Sequence, residues 1–320
     1  MKLTPIIFGT SCLGNLYKVV PFETKVAIAA EWFKAFDRPV IDSAGKYGAG
    51  LSLDCIGRAL RELGKQPGDL AISVKLGWRR SRRLAAGEEP TFEPGAWAGL
   101  EWDAVQDISY DGILRCFAEA KELLGGYPID LVSVHDPDEY LSAANDASIA
   151  KDDVLGAYRA LFELKARGEV KGIGIGAKDW RVIRLLWREG VTFDWAMFAC
   201  APTLLVHPPE LLDFVRELKA AGVTLIDSAV FNGGFLTGGD MIDYRTADPV
   251  KDAAAFAFRD RYLALCRAYA LDPAAPAVEY AYRLGFDAVA LNTSSPRRIL
   301  QNAAYAHLAA PAAFWKELEQ

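Results

Sequence analysis

The sequence has little of what most often fixes metals or crosslinks. Its five cysteines, Cys12, Cys55, Cys116, Cys200 and Cys266, form no C-x-x-C pair, and its three histidines, His135, His207 and His307, lie far apart. That spacing predicts no metal site. An odd, dispersed set of cysteines and a start without an apolar signal region (Met1-Lys2-Leu3-Thr4-Pro5) point to the reducing cytoplasm. No apolar run is long enough to span a bilayer. Basic residues are not in excess either: 36 Lys and Arg stand against 42 Asp and Glu, a formal charge of −6. Neither nucleic acid nor an acidic membrane is therefore expected as a partner. The one basic run, Arg79-Arg80-Ser81-Arg82-Arg83, reads as a solvated loop. A Pro, Ser or Gly-rich linker is missing, and so is an internal repeat.

What is present is a chain of 320 residues, 52% hydrophobic, long enough to bury a large core. Short apolar runs alternate with longer amphipathic ones. Ile6–Phe8, Val40–Ile41, Ala71–Lys75, Asp130–Val134, Ile173–Ile175, Trp195–Phe198, Val223–Ile226 and Ala288–Leu291 read as strands. Between them, Glu23–Phe36, a segment that Ser52 would cap, Tyr110–Leu124, Asp152–Arg167, Asp179–Trp187, Glu210–Ala221 and Arg259–Ala270 read as helices. Eight strands separated by helices, each strand a continuous buried run, predict a (β/α)8 TIM barrel spanning 1–320 as one domain. Two connections are too long for turns: Trp78–Gln106 after the third strand and Ser228 to about Phe256 after the seventh. Both would stand over the face where barrel active sites lie.

Chemical groups collect at three consecutive strand ends. Asp42 follows the second strand, Lys75 ends the third, His135 follows the fourth, and Tyr47 lies five positions beyond Asp42 between Gly45 and Gly48. Each has an ordinary reading: a turn former, a solvated strand end, a core histidine, a packing residue. On a barrel these ends are neighbours, so the four side chains converge. The chemistry that needs such a set is hydride transfer coupled to proton transfer. A free phenol has a pKa of about 10; a nearby ammonium favours phenolate, and a carboxylate keeps the lysine charged. A neutral histidine holds the substrate oxygen where charge develops. No side chain carries hydride, so a nicotinamide cofactor is required.

Gly9-Thr10, Ile41-Asp42-Ser43-Ala44-x-x-Tyr47-Gly48, Val74-Lys75 and Val134-His135-Asp136-Pro137 resemble the motifs of the aldo-keto reductases. Gly14–Tyr17, Ile108–Gly112, Val134–Asp138 and Phe231–Gly234 are more similar to the aldose 1-dehydrogenase branch, which includes L-fucose, L-galactose and D-threo-aldose dehydrogenases and relatives acting on pyridoxal. The resemblance implies Asp42, Tyr47, Lys75 and His135 as the catalytic tetrad, with Tyr47 and His135 meeting the substrate. Trp78, Trp97 and Trp102 share the long loop after the third strand and either wall a sugar ring face or anchor the loop; the place of Trp78 next to Lys75 favours a pocket role for it. It implies cofactor contacts from Thr10, Asp42, Ser228, Asn232, Gly233, Gly234, Leu236, Asn292, Thr293, Ser294, Arg298, Gln301 and Asn302. The family's Ser-Asn pair after the fifth strand is missing from Gly174-Ile175-Gly176-Ala177-Lys178, and Cys200-Ala201-Pro202 replaces a Tyr-containing segment after the sixth. The family's adenosine-phosphate motif usually begins with a basic residue. Asn292 stands there instead, so NAD is expected to serve at least as well as NADP, with Arg298 leaving some NADP activity.

The glycines of Lys171–Gly176 lie within a strand, so they relieve crowding rather than form a dinucleotide fingerprint. The glycine-rich stretch Phe231–Gly239 reads either as a flexible loop or as a pyrophosphate cradle, and its place after the seventh strand favours the cradle. The expected partner is a small sugar or aldehyde, and the expected assembly a monomer or weak homo-oligomer. A general aldehyde, ketone or pyridoxal enzyme of the same fold, a Schiff-base aldolase using Lys75, and a nicotinamide-binding regulatory subunit remain alternatives.

Overall fold

A computed structural model describes residues 3–319. The eight barrel strands are β1 (Ile6–Gly9), β2 (Val40–Ala44), β3 (Ala71–Leu76), β4 (Leu131–His135), β5 (Gly172–Ala177), β6 (Trp195–Ala199), β7 (Thr224–Ser228) and β8 (Ala288–Asn292). They are parallel and close into a barrel in the order β1-β8-β7-β6-β5-β4-β3-β2. Helices cover the outside, as the alternation of runs predicts. No helix among the described residues is long and apolar enough to cross a membrane.

The two-residue period of a strand decides what faces the barrel axis. Val40 pairs with Ala71, Asp42 with Ser73 and Ala44 with Lys75; further round, Lys75 pairs with Ser133 and His135 with Gly176. The lower layers are an apolar plug of Ile7, Val40, Ala71, Leu131, Trp195, Met197, Ile226 and Ala288. The layers above it carry Asp42, Ser73, Lys75 and His135, all buried. A strand that reads as one buried run therefore changes from apolar to polar along its inward face.

β5 contributes Gly172, Gly174 and Gly176 on that same parity. A Cβ on Gly174 would lie 2.2 Å from the Trp195 indole and 2.5 Å from its carbonyl oxygen. One on Gly176 would lie 3.1 Å from Cδ of Lys75. These glycines make room for a large core ring and for the lysine stem. Gly174→Ala is expected to destabilise the protein by about 1–3 kcal/mol through overpacking. Urea unfolding checks this, as a lower midpoint at unchanged slope.

Three aspartates fix the register at the base of the barrel. Oδ2 of Asp130, Asp194 and Asp287 accepts the backbone N–H of Ile72 (3.0 Å), Ile173 (2.8 Å) and Leu225 (2.8 Å). Each also engages a lysine: Lys171, Lys165 and Lys219 respectively.

Several local expectations change. The basic run is not a solvated loop. Trp78–Arg83 forms an antiparallel ribbon with Trp102–Gln106, in which Arg80 and Arg83 stack over Trp102 and Arg79 pairs with Asp107 at 2.6 Å. Ser52 does not cap its helix, Leu51–Glu62, whose N-cap is Gly50; it sits in the first turn and donates to the Thr10 carbonyl at 2.8 Å. Asp146 caps a helix that starts at Ala147, ahead of the expected Asp152. The segment before β8 holds two helices, Ala253–Ala268 and Ala274–Arg283; the chain turns between them where Ala270 has positive φ, and Pro273 is the N-cap of the second.

Candidate active site

Asp42 and Lys75 project inward from neighbouring strands, and the Lys75 ammonium contacts Asp42 Oδ2 directly. Ser73 Oγ donates to the other carboxylate oxygen at 2.9 Å, while Thr10 Oγ1 donates to the Asp42 carbonyl at 2.9 Å. Tyr47 is half-buried. The turn that carries it packs so closely on Gly14 that a Cβ on Gly48 (φ 63°) would lie 2.3 Å from the Gly14 oxygen, so only glycine fits there. Lys75 Nζ is 5.0 Å from the centroid of the Tyr47 ring. His135 meets that ring edge-on, with centroids 5.7 Å apart and planes at 86°. The four expected residues thus come together at one mouth.

Their protonation states follow from this packing. Burial alone would lower the Lys75 pKa, but the Asp42 carboxylate and the Tyr47 oxygen outweigh it and raise it, so the lysine stays charged. Burial raises the Tyr47 pKa above its ordinary value, and the Lys75 charge opposes that shift without cancelling it. Burial, together with Lys75, Lys46 and Lys178, pushes His135 far below its usual pKa, so its ring is neutral at physiological pH.

Apart from Thr10 and Asp42, the residues expected at the cofactor lie along the ends of β7 and β8. Ser228 Oγ donates to the Phe198 carbonyl at 2.8 Å. Asn232 is fully buried; its amide donates to Asp243 Oδ1 at 2.9 Å and to the Cys200 carbonyl at 3.3 Å. Leu236 and Thr10 are also buried, whereas Gly233 is exposed and Gly234 partly so. Asn292 ends β8 with its Oδ1 3.4 Å from the Cys12 N–H, and the Thr293 hydroxyl accepts from the Ser295 N–H at 3.2 Å. Ser294 is partly exposed. Arg298 lies exposed in the first turn of the helix Arg297–Ala304. In that helix Gln301 donates to Asp272 at 2.8 Å and Asn302 is buried.

The sequence profile of the Aldo/keto reductase family matches residues 5–320. The chain belongs to the aldo/keto reductase family. It is 31% identical over 333 residues to a pyridoxal 4-dehydrogenase of Microbacterium luteolum, covering 99% of this chain and 94% of that protein. It is 29% identical over 329 residues to a D-threo-aldose 1-dehydrogenase of Pseudomonas sp., covering 98% and 92%. In fold it is similar to a glycerol dehydrogenase of Gluconobacter oxydans (TM-score 0.71, 18% identity, 99% of this chain and 90% of that one). An aldo-keto reductase of Bacillus halodurans in its holo form gives a TM-score of 0.68 at 18% identity, with 98% and 91% covered. As an aldo/keto reductase the protein is an oxidoreductase of a family that uses nicotinamide cofactors.

This aldo/keto reductase carries further charged groups at the mouth that sequence reasoning did not single out. Lys46, almost fully buried, pairs with Glu93 and Glu139 at 2.8 Å each and lies 5.0 Å from the centroid of the Trp78 ring. Lys178, where the Ser-Asn pair is missing, bonds Glu139 at 2.6 Å and lies 4.9 Å from the centroid of the Tyr244 ring. Tyr244 sits in a tight turn after β7, where Met241–Ile242 pairs with Arg245–Thr246 and both central residues have positive φ. Trp97 lies tilted beside Tyr47, with centroids 5.9 Å apart, and Phe92 tilted beside Trp78 at 5.8 Å. The adjacency of Lys46 to Tyr47 and of Asp136 to His135 was the available signal.

Proposed function

We propose that the protein oxidises C1 of an aldose to the lactone, with Tyr47 taking the proton from the anomeric hydroxyl. The observation that supports this most is the convergence of a charged Lys75, a neutral His135 and the Tyr47 phenol at one barrel mouth. An oxidised nicotinamide, held by the residues at the ends of β7 and β8, would supply the hydride acceptor. The chain's own residues do the rest. Asp42 keeps Lys75 charged, Lys75 favours phenolate at Tyr47, and the neutral His135 ring holds the substrate oxygen by a hydrogen bond. The donor set fits an anionic dinucleotide. Gly233 is exposed in a loop of positive-φ residues after β7, and Arg297 and Arg298 are exposed without a carboxylate partner among the described residues. Backbone N–H groups and guanidiniums in such places bind phosphate oxygens.

A panel of aldoses assayed by absorbance of the reduced nicotinamide tests this reading. Activity is expected to rise above neutral pH, because burial keeps the Tyr47 pKa high and phenolate is the base. Turnover only in the reducing direction, on aldehydes lacking sugar hydroxyls, would contradict it. Pyridoxal is a second reading, supported by the similarity to the pyridoxal 4-dehydrogenase and by the aromatic wall of Trp78, Phe92 and Trp97, which suits a flat ring; it belongs in the same panel.

Cofactor choice follows from Asn292. A neutral side chain at the end of β8 removes one charged partner for a 2′-phosphate, worth about 1.5–3 kcal/mol. NAD is expected to be used at least as well as NADP, with Arg298 leaving some NADP activity. A hundredfold advantage for NADP in kcat/KM on one substrate would contradict the argument.

A further inference from the structure

Beside the tetrad lies a cluster of charges that the proposed reaction does not use. Asp136 follows His135 at the end of β4, is only 6% exposed and takes the left-handed backbone conformation (φ 45°). Its N–H donates to the Gly176 carbonyl at 3.0 Å, which anchors its backbone to β5. Oδ2 then lies 3.6 Å from Nε2 of His135 and 3.7 Å from the ammonium of each of Lys46 and Lys178. None of these is a hydrogen bond. Both lysines form their short contacts elsewhere, with Glu93 and Glu139. The carboxylate thus has no hydrogen-bond partner among the described residues, while three nitrogens stand just out of reach around it. The gap lies beside Nε2 of His135, whose ring meets that of Tyr47.

We propose that Asp136 is a specificity-determining residue that accepts a hydrogen bond from the hydroxyl on the carbon next to the one oxidised, while the Nε2–H of His135 donates to the reacting oxygen. A carboxylate beside Nε2 favours the tautomer with its proton there. Donor and acceptor 3.6 Å apart can each reach one oxygen of a vicinal pair at about 2.7–3.0 Å. The cluster also leaves no cation over. Lys46 and Lys178 face Glu93, Asp136 and Glu139, so the substrate it selects is a neutral polyol rather than a sugar phosphate. This inference rests on the aldose reading above.

The test compares an aldose with its 2-deoxy counterpart, in wild type, Asp136→Asn and Asp136→Ala. Wild type is expected to prefer the aldose by about tenfold to a hundredfold in kcat/KM, mostly through KM, the range for a hydrogen bond to a charged group. In both variants the preference is expected to fall below about threefold. A folded variant that keeps the wild-type preference overturns the proposal while leaving aldose oxidation in place. Failure of wild type to oxidise any aldose removes the reading itself, and the proposal with it.

If neither variant folds, the wild type still decides. Burial holds the Asp136 pKa up at about 6, with Lys178 and Lys46 pulling it down and Glu139 and Asp138 pushing it up; His135, neutral throughout, faces it from its own segment. The aldose KM is therefore expected to rise as pH falls through about 6, with no matching change for the deoxy sugar. Parallel pH profiles for the two sugars overturn the proposal.

Discussion

Replacing Tyr47 with phenylalanine is expected to lower turnover at least ~100-fold while nicotinamide binding stays near the wild-type level. The ring packs against Trp97 and His135, and those contacts survive the change. Only the hydroxyl is lost, which on the proposed reading is the group that accepts the substrate proton. Lys75 is held charged by Asp42 and His135 is held neutral by burial, so neither replaces it readily. Steady-state rates together with quenching of protein fluorescence by the cofactor separate the two effects. Near-normal turnover in the variant would mean that Tyr47 does not carry the proton.

Lys75→Met is expected to have the second-largest effect, acting on activity and stability by different routes. The Lys75 charge is what opposes the burial that raises the Tyr47 pKa. Without it the phenol titrates still higher, so the rising limb of the pH–rate profile moves to higher pH and the rate at neutral pH falls about a hundredfold or more. Removing one partner of a buried ion pair also leaves the Asp42 carboxylate with Ser73 as its one side-chain donor among the described residues, a change that typically costs about 3–5 kcal/mol. The double variant Asp42→Asn with Lys75→Met separates the two. Much of the stability is expected to return, measured by urea unfolding, and the activity is not. Recovery of both would mean that the pair holds the fold and leaves the phenol alone.

The barrel and the tetrad were legible in the sequence for the same physical reason. Inward-facing positions recur every second residue, and a site at strand ends draws on short local motifs: Asp42 with Tyr47 five residues on, Val74-Lys75, and Val134-His135. What local sequence does not carry is the destination of a side chain that leaves its own element. Asn232 reads as a loop residue free to meet a ligand, yet its amide closes a contact between Cys200 and Asp243. Gln301 turns to Asp272 through a helix packing that nothing near it announces. The arginine run looked solvated because its partners, Trp102 and Asp107, lie some twenty residues and more away across a ribbon. Asp136 and Lys46 were hidden by ordinary neighbours: an acid before a proline reads as a turn, and a lysine between glycines reads as solvent-facing. Only the closed barrel brings Lys178 and Glu139 to meet them.

The central claim is that the tetrad moves a hydride from substrate carbon to a nicotinamide and a proton from substrate oxygen to Tyr47. An aldose deuterated at C1, incubated with oxidised cofactor and followed by mass spectrometry, tests it most directly. The account predicts one deuterium on each reduced nicotinamide formed, an equal amount of lactone, and a slower rate with the heavy sugar when chemistry limits turnover. Deuterium released to solvent with the cofactor left oxidised, or substrate trapped on Lys75 by borohydride, would contradict it.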